Sequence, residues 1–356
     1  MNYTKLIKGK ILWIVLALSF VSCTKERENP GSGTNSGQKA DVILRINNPT
    51  KSTGTAHLSQ SDDNYINNIA IFVFNSDANK TLETYKYVRI TDQSALNSIT
   101  FQTTTGNKNV YVVANCHDST QWNGIVRESQ FLAKESNLKN EDLKDFAMSG
   151  NLTNAQISLS NSINLTLKRV IAKVVVNSIK TDFAGTPYQG MVLSNVKLYI
   201  TNAHKIRPYI EGNTTTNPFI INALQLTTSS FSDCKISGIV YDQPSGTIGD
   251  TPYTVKHHFY MYENSISAET SSEKFTRLVV EATLNGVNYF YPVNINRVDF
   301  GGTTNNGIKR NTVYNITLVI KRPGSSSPEM LVEKGTVITS VTIADWDTET
   351  IGNIEF

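Results

Sequence analysis

The sequence predicts a mainly β protein of two tandem antiparallel β-sandwiches, with a short helical insertion in the first. Three observations carry that expectation. Apolar residues recur at every second position along most of the chain, the pattern of strands that bury one face. Thr, Asn and Ser fill the outward positions and the spacers, as suits antiparallel sheets that face water. About 315 residues remain after the leader and tether at the N-terminus, more than one hydrophobic core usually serves.

Residues 1–22 read as a secretory signal: Lys5, Lys8 and Lys10 precede an apolar run from Ile11 to Phe20, and Val21-Ser22-Cys23 forms a cleavage point. The run is too short for a helix that must cross ~30 Å of hydrocarbon. Cys23 stands where a bacterial lipoprotein signal carries its acylated cysteine, although Phe20 occupies a position usually held by Leu. Acylation there would fix the chain to a membrane, each buried methylene contributing ~0.8 kcal/mol. Ordinary signal cleavage would instead release a soluble secreted protein. The leader holds three of the 33 basic residues and none of the 30 acidic ones, so the rest of the chain balances at 30 and 30. A balanced chain has no general attraction to nucleic acid, and none is expected as a partner. Residues 23–39, with TKERENPGSGTNSGQK from Thr24 onward, lack any apolar anchor and read as a flexible tether.

The first sandwich is expected over 40–168. It opens with a strand at Ala40–Asn47 whose Val42, Leu44 and Ile46 share one face. Ile69-Ile71-Val73 then alternates with Ala70-Phe72-Phe74, Val110-Val112-Ala114 with Tyr111-Val113, and Ile163-Leu165-Leu167 with Asn164-Thr166-Lys168. Between them, Arg127–Met148 is rich in Glu and Lys and spaces Phe131, Leu132, Leu138, Leu143 and Phe146 for one or two short covering helices. LTLKRVIAKVVV holds too much strand for one element, so the last strand of the first sandwich runs into the first of the second with Lys168-Arg169 at the joint. The second sandwich, 169–356, is expected to place strands at 191–201, 258–262, 277–284, 289–293, 313–320 and 337–343. Asn285-Gly286 marks a hairpin, and Arg322-Pro323-Gly324 ends a strand.

No catalytic constellation, cofactor or metal is expected. Of His57, His117, His204, His257 and His258, none has ligand spacing to another, and the adjacent pair 257/258 points to opposite faces of a strand. There is no phosphate-cradling Gly loop and no nucleophile elbow. Gly301-Gly302 reads as part of a long hairpin loop, and Asp62-Asp63 as a solvated turn. Phe259, Tyr260, Tyr262, Tyr289, Phe290 and Tyr291 alternate within strands and read as packing residues. Cys116 and Cys234 read as small buried residues; two cysteines make no disulfide framework, and whether they pair stays open.

The blocks HHFYMYENSI (257–266), TRLVVEATLNGVNYFYPVNI (276–295), IKRNTVYNITLVIKRPGSSSP (308–328) and VTIADWD (341–347) resemble those of the FimA/Mfa1-like fimbrillins, the subunits of Bacteroidetes type V pili. ADVILRIN, IAIFVFN, VYVVANC and LKRVIAKVVV resemble the N-terminal blocks of that family, so the likeness covers nearly the whole chain after the tether. The resemblance implies transthyretin-like sandwiches, export as an outer membrane lipoprotein through Cys23, and proteolysis in the loop after the first strand, commonly after Arg. A C-terminal segment of a neighbouring subunit then fills the vacated groove. Carried onto this chain, the removable strand is Ala40–Asn47 with Val42, Leu44 and Ile46 as its inward residues. The cut falls within 48–53, between Lys51 and Ser52, since Lys51 is the one basic residue there and the alternative, Arg45, lies inside the strand. Donor candidates are Val337, Thr339, Val341, Ile343 and Trp346. Implied partners are other pilin subunits, a processing protease, the outer membrane through the lipid, and a host or bacterial surface ligand. The alternative is a non-polymerising anchor or tip subunit, or a glycan-binding surface lipoprotein.

Overall fold

A computed structural model describes residues 37–47, 64–212, 219–221, 239–302, 306–332 and 335–345. Cys23, Lys51, Ser52, Asp62, Asp63, Cys234 and Trp346 lie outside the described residues.

The first sandwich contains β1 (Lys39–Asn47), β2 (Asn68–Asn75), β3 (Leu82–Arg89), β4 (Ile99–Thr104), β5 (Gly106–Ala114), α1 (Glu128–Leu132), β6 (Glu135–Asn137), β7 (Met148–Ile157), β8 (Ser160–Thr166) and β9 (Lys168–Arg169). A three-stranded sheet in the order β4-β1-β8 shares a core with a five-stranded sheet in the order β3-β2-β5-β7-β9. The alternation in the sequence explains β1, β4 and β8, each buried at every second residue. β2 is buried on both faces. Ile69, Ile71 and Val73 enter the core beneath β1, while Phe72 and Phe74 join Tyr111, Trp122 and Phe131 on the other side. There the Phe72 ring lies 4.5 Å from Phe131 and 5.1 Å from Trp122.

The expected helices of Arg127–Met148 shrink to α1 and a single 3₁₀ turn at Leu138–Asn140, separated by the unpredicted strand β6. Phe131, Leu138 and Phe146 are buried as their spacing implied, but Leu143 is 40% exposed. Polar anchors interrupt the helical period. The buried Glu128 carboxylate accepts from Asn109 Nδ2 at 2.7 Å and Tyr111 OH at 2.8 Å and pairs with Lys80 at 2.7 Å. Beyond α1 the chain is drawn out as β6, which pairs with β13 (Ile206–Pro208) instead of continuing a helix.

The second sandwich contains β10 (Ile171–Thr181), β11 (Ser194–Thr201), β12 (Ala203–His204), β13 (Ile206–Pro208), β14 (Phe219–Ile221), β15 (Tyr241–Asp242), β16 (His257–Tyr262), β17 (Arg277–Leu284), β18 (Val287–Asn294), β19 (Thr312–Ile320) and β20 (Val337–Asp345). Its two main sheets run β16-β10-β19-β20 and β15-β11-β17-β18. Asn285 and Gly286 both have positive φ, 50° and 76°, the backbone a tight β17–β18 hairpin requires. Phe259, Tyr260, Tyr262 and Tyr291 are core residues, whereas Tyr289 and Phe290 are half-buried.

The sheets are antiparallel except at two places. β1 is parallel to β8, and β10 is parallel to β19. In each sandwich the opening strand lies between an antiparallel neighbour, β4 or β16, and a parallel one that closes the sandwich. Local patterning reports which face of a strand is apolar and is silent on the direction of its neighbour.

Between the sandwiches, β6 pairs with β13, Trp122 packs at a tilt against Tyr209 at 5.4 Å, and Phe146 lies 4.7 Å from Tyr260. Arg169, fully buried, donates from its backbone N and its Nη1 to Asn311 Oδ1, each at 3.1 Å. Glu141, also fully buried, accepts from Ser136 Oγ and Tyr262 OH at 2.8 Å and from Ala147 N at 2.9 Å. Burial pushes the Glu141 carboxyl above its ordinary value of 4.5. A raised folded-state value stabilises most below that ordinary value, and the contribution is lost as pH rises through the folded one. Glu141→Gln is therefore expected to cost about 1–2 kcal/mol in acid, with a smaller deficit as pH rises. Thermal melts of both proteins across the acid-to-neutral range check this, and a deficit that grows with pH contradicts it.

Candidate assembly site

β1 is an amphipathic strand held as the middle member of its sheet. Ala40, Val42, Leu44 and Ile46 are at most 3% exposed, while Asp41, Ile43, Arg45 and Asn47 face outward. In register, Val42 lies opposite Phe101 and Leu44 opposite Ile99 on β4; on β8, Leu44 lies beside Ile163 and Ile46 beside Leu165. The three inward residues singled out from the sequence thus meet one apolar floor, and Ala40 extends their row.

The ends of the seat are closed by polar contacts. Thr105 N donates to Gln38 O at 2.8 Å, Gln38 N donates to Thr105 Oγ1 at 3.0 Å, and Asp41 N donates to Leu159 O at 3.2 Å. Gln102 Nε2 donates to Asp41 Oδ1 at 3.0 Å, and Arg45 Nη1 donates to Ser162 Oγ. Gly37 permits this approach, since a Cβ there would stand 2.3 Å from Thr105 O. Arg45, the alternative cleavage residue, is an ordered strand residue bonded to β8.

Take β1 away and two ladders break at once. β4 and β8 would then face each other across two inter-strand spacings, about 9.5 Å, room for one strand and no more. The uncovered trench would expose the sites of Val42, Leu44 and Ile46, each contributing on the order of 1.5–3 kcal/mol when filled. Unpaired backbone groups on both walls would add to the demand for a replacement strand.

β20 has the opposite position, an edge strand paired over its whole length with β19 alone. Val341 is buried, Val337 and Thr339 are half-buried, and Ile338, Ser340 and Thr342 are exposed. The 337/339/341 row repeats the spacing of 42/44/46. Ile343 continues the ladder opposite Tyr314. Thr339 Oγ1 donates to Phe300 O, tying the middle of β20 to the turn after β18. Within one chain β1 and β20 lie in different sheets.

Sequence reading missed β4 as one wall of the seat, although ITFQTT carries a buried alternation at Ile99, Phe101 and Thr103 that could have revealed it. It also missed two histidine–carboxylate pairs: His257 Nδ1 to Asp242 Oδ2 at 2.6 Å and His117 Nε2 to Asp145 Oδ2 at 3.6 Å. Among the described residues, no group of three or more His, Cys, Asp and Glu side chains is placed to hold a metal ion. Burial, then the nearby Lys173, pushes His258 down to about 4, so it is neutral at physiological pH. Cys116 is a buried free thiol that accepts from Trp122 Nε1 at 2.9 Å.

A sequence model of the family described as major fimbrial subunit protein (FimA) matches residues 40–222, from the first residue of the expected strand into the second sandwich. The major fimbrium subunit FimC of Porphyromonas gingivalis is 25% identical over 355 residues, spanning 97% of this chain and 71% of that protein. Among solved structures, a fimbrilin (FimA) from Porphyromonas gingivalis W83 superposes with a TM-score of 0.62 at 17% identity, covering 88% of this chain and 98% of that one. A putative cell adhesion protein from Bacteroides eggerthii superposes at 0.63 with 18% identity, covering 88% and 98%. At such identities these two structures establish a shared fold.

Proposed function

The chain belongs to the family of the major fimbrial subunit protein FimA, and from that premise we propose that it is a structural, non-enzymatic pilin assembled by strand replacement. In this reading it is exported as a lipoprotein acylated on Cys23 and carried to the cell surface on its lipid. A protease then cuts between Lys51 and Ser52, so lipid, tether and β1 leave together. The β20 segment of the next subunit enters the vacancy, and repetition builds the fimbrium, which supports adhesion.

One observation carries the reading: β1 is bonded on both sides, yet a single cut in the residues that follow it separates it from every other strand. β10, its counterpart in the second sandwich, has no such freedom, because it continues from β9 through one residue, Val170. β20 supports the donor role, since an edge strand gives up one ladder on leaving and gains two in the seat between β4 and β8.

N-terminal sequencing of the surface form tests this. Subunits within fibres are expected to begin near Ser52. Chains in mid-fibre that still begin at Cys23 contradict the scheme, and an intact lipidated N-terminus confined to non-fibrous protein supports the alternative of an anchor subunit.

A further inference from the structure

Asn75, Glu83 and Lys108 come from three neighbouring strands, β2, β3 and β5, at one end of the first core. Asn75 and Lys108 are direct partners in the β2–β5 ladder, continuing the inward rows of Ile69, Ile71 and Val73 and of Val110 and Val112. Lys108 is 4% exposed. Its Nζ donates to Asn75 Oδ1 at 2.7 Å, to Thr104 Oγ1 at 2.9 Å and to Glu83 Oε2. The Asn75 amide is oriented from its other side, with Nδ2 donating to Thr81 Oγ1 at 3.1 Å. The second Glu83 oxygen accepts from Thr103 Oγ1 at 2.8 Å and Thr104 N at 2.5 Å.

A buried ion pair needs only the lysine and the glutamate. This cluster adds a carboxamide whose oxygen is on the amine, so the electrophilic Cγ lies one bond behind the atom that Nζ already touches. We propose that Lys108 and Asn75 become joined by an intramolecular isopeptide bond, with Glu83 carrying the protons. Glu83 takes a proton from the Lys108 ammonium, and the freed lone pair on Nζ forms a bond to Asn75 Cγ while the C=O electron pair moves to Oδ1. As the carbonyl reforms, the Cγ–Nδ2 bond breaks and its electron pair leaves with nitrogen. Glu83 delivers its proton to that nitrogen, takes the remaining extra proton from Nζ, and passes it on to the departing ammonia. The net change converts one ammonium and one carboxamide into a secondary amide and an ammonium ion, with Glu83 a carboxylate again and no other reactant consumed.

The surroundings suit the step. Burial pushes Glu83 up, but hydrogen bonds from Lys108, Thr103 and Thr104 outweigh it and hold the carboxyl below its ordinary value, so it begins as the base. The new bond would close a ring around β3 and β4. Since β4 is one wall of the β1 seat, that wall would be tied covalently to the central sheet. The inference stands on the cluster alone and does not depend on the assembly scheme.

Mass spectrometry of the denatured protein tests it. From its determined N-terminus, the wild-type chain is expected to be lighter than its sequence by one ammonia. Fragmentation is expected to yield a branched peptide joining Asn75 to Lys108. Lys108→Arg keeps the charge and Glu83→Gln keeps the shape; both are expected to return the full sequence mass. A wild-type chain at full mass overturns the inference, as does an ammonia loss mapped to a succinimide at Asn123-Gly124, Asn285-Gly286 or Asn306-Gly307.

Discussion

Fibre growth is expected to stop when β1 is locked to β4 by a disulfide between Ile43→Cys and Thr100→Cys, and to resume on reduction. These two residues are register partners in the antiparallel β1–β4 ladder, and both face outward. Such partners have Cα atoms about 4.5–5.5 Å apart, within the span a disulfide bridges. The bond leaves Val42, Leu44 and Ile46 in place, so the fold is retained. Proteolysis after residue 47 can still occur, but the severed strand cannot depart. An incoming strand must then compete with one tethered at an effective concentration in the millimolar range or above. The incoming strand fills the same three sites, so the incumbent's advantage is its effective concentration over that of the free donor, roughly three decades against subunits at about 1 μM. Cys116 does not confuse the experiment, because burial pushes its thiol up to about 11; Cys234 is replaced by Ser in the background. Electron microscopy of cleaved protein, oxidised and reduced, reads the outcome, with each single variant as control. Equal fibre growth in both states would show that the β1 seat is not where subunits join.

A chain ended at Thr336 is expected to fold, to receive a neighbour and to donate nothing. β20 leaves from a sheet edge, and among the residues of known burial its loss removes one buried apolar side chain, Val341, and one half-buried, Val337. That costs about 1.5–3 kcal/mol for each such group fully withdrawn. The β1 seat is built from other strands and remains whole. On its own the truncated chain is expected to give only monomers after cleavage. Mixed into full-length protein it ends each fibre that incorporates it, so mean length falls as its fraction rises. Fibres of ordinary length from the truncated chain alone would remove β20 and everything beyond it from the donor role.

These expectations rest on features of unequal visibility. The inward row Val42, Leu44 and Ile46 was legible because side-chain direction in a strand alternates with period two, a property of the strand itself. The same holds for Val337, Thr339 and Val341 and for the Asn285-Gly286 turn, whose backbone demands those residue types. The short helices of 127–148 were legible only in part, since the hydrogen bonds of Glu128 to Asn109 and Tyr111 outweigh an apolar period that by itself continues through Leu143. Asn75 and Lys108 carried no signal; 33 positions apart, each is unremarkable until a ladder sets them face to face.

The sequence by itself determined the class of the fold, the strands that carry a clear apolar alternation, and which side of each is apolar. Those properties are written within a few residues and follow from local stereochemistry and the removal of apolar surface from water. Only the tertiary structure decided that β1 lies between β4 and β8, that β8 runs parallel to it, and that β20 stands at an edge. Choice of neighbour depends on free energy summed over whole interfaces between distant segments, and many pairings satisfy the same alternation equally well within any one strand.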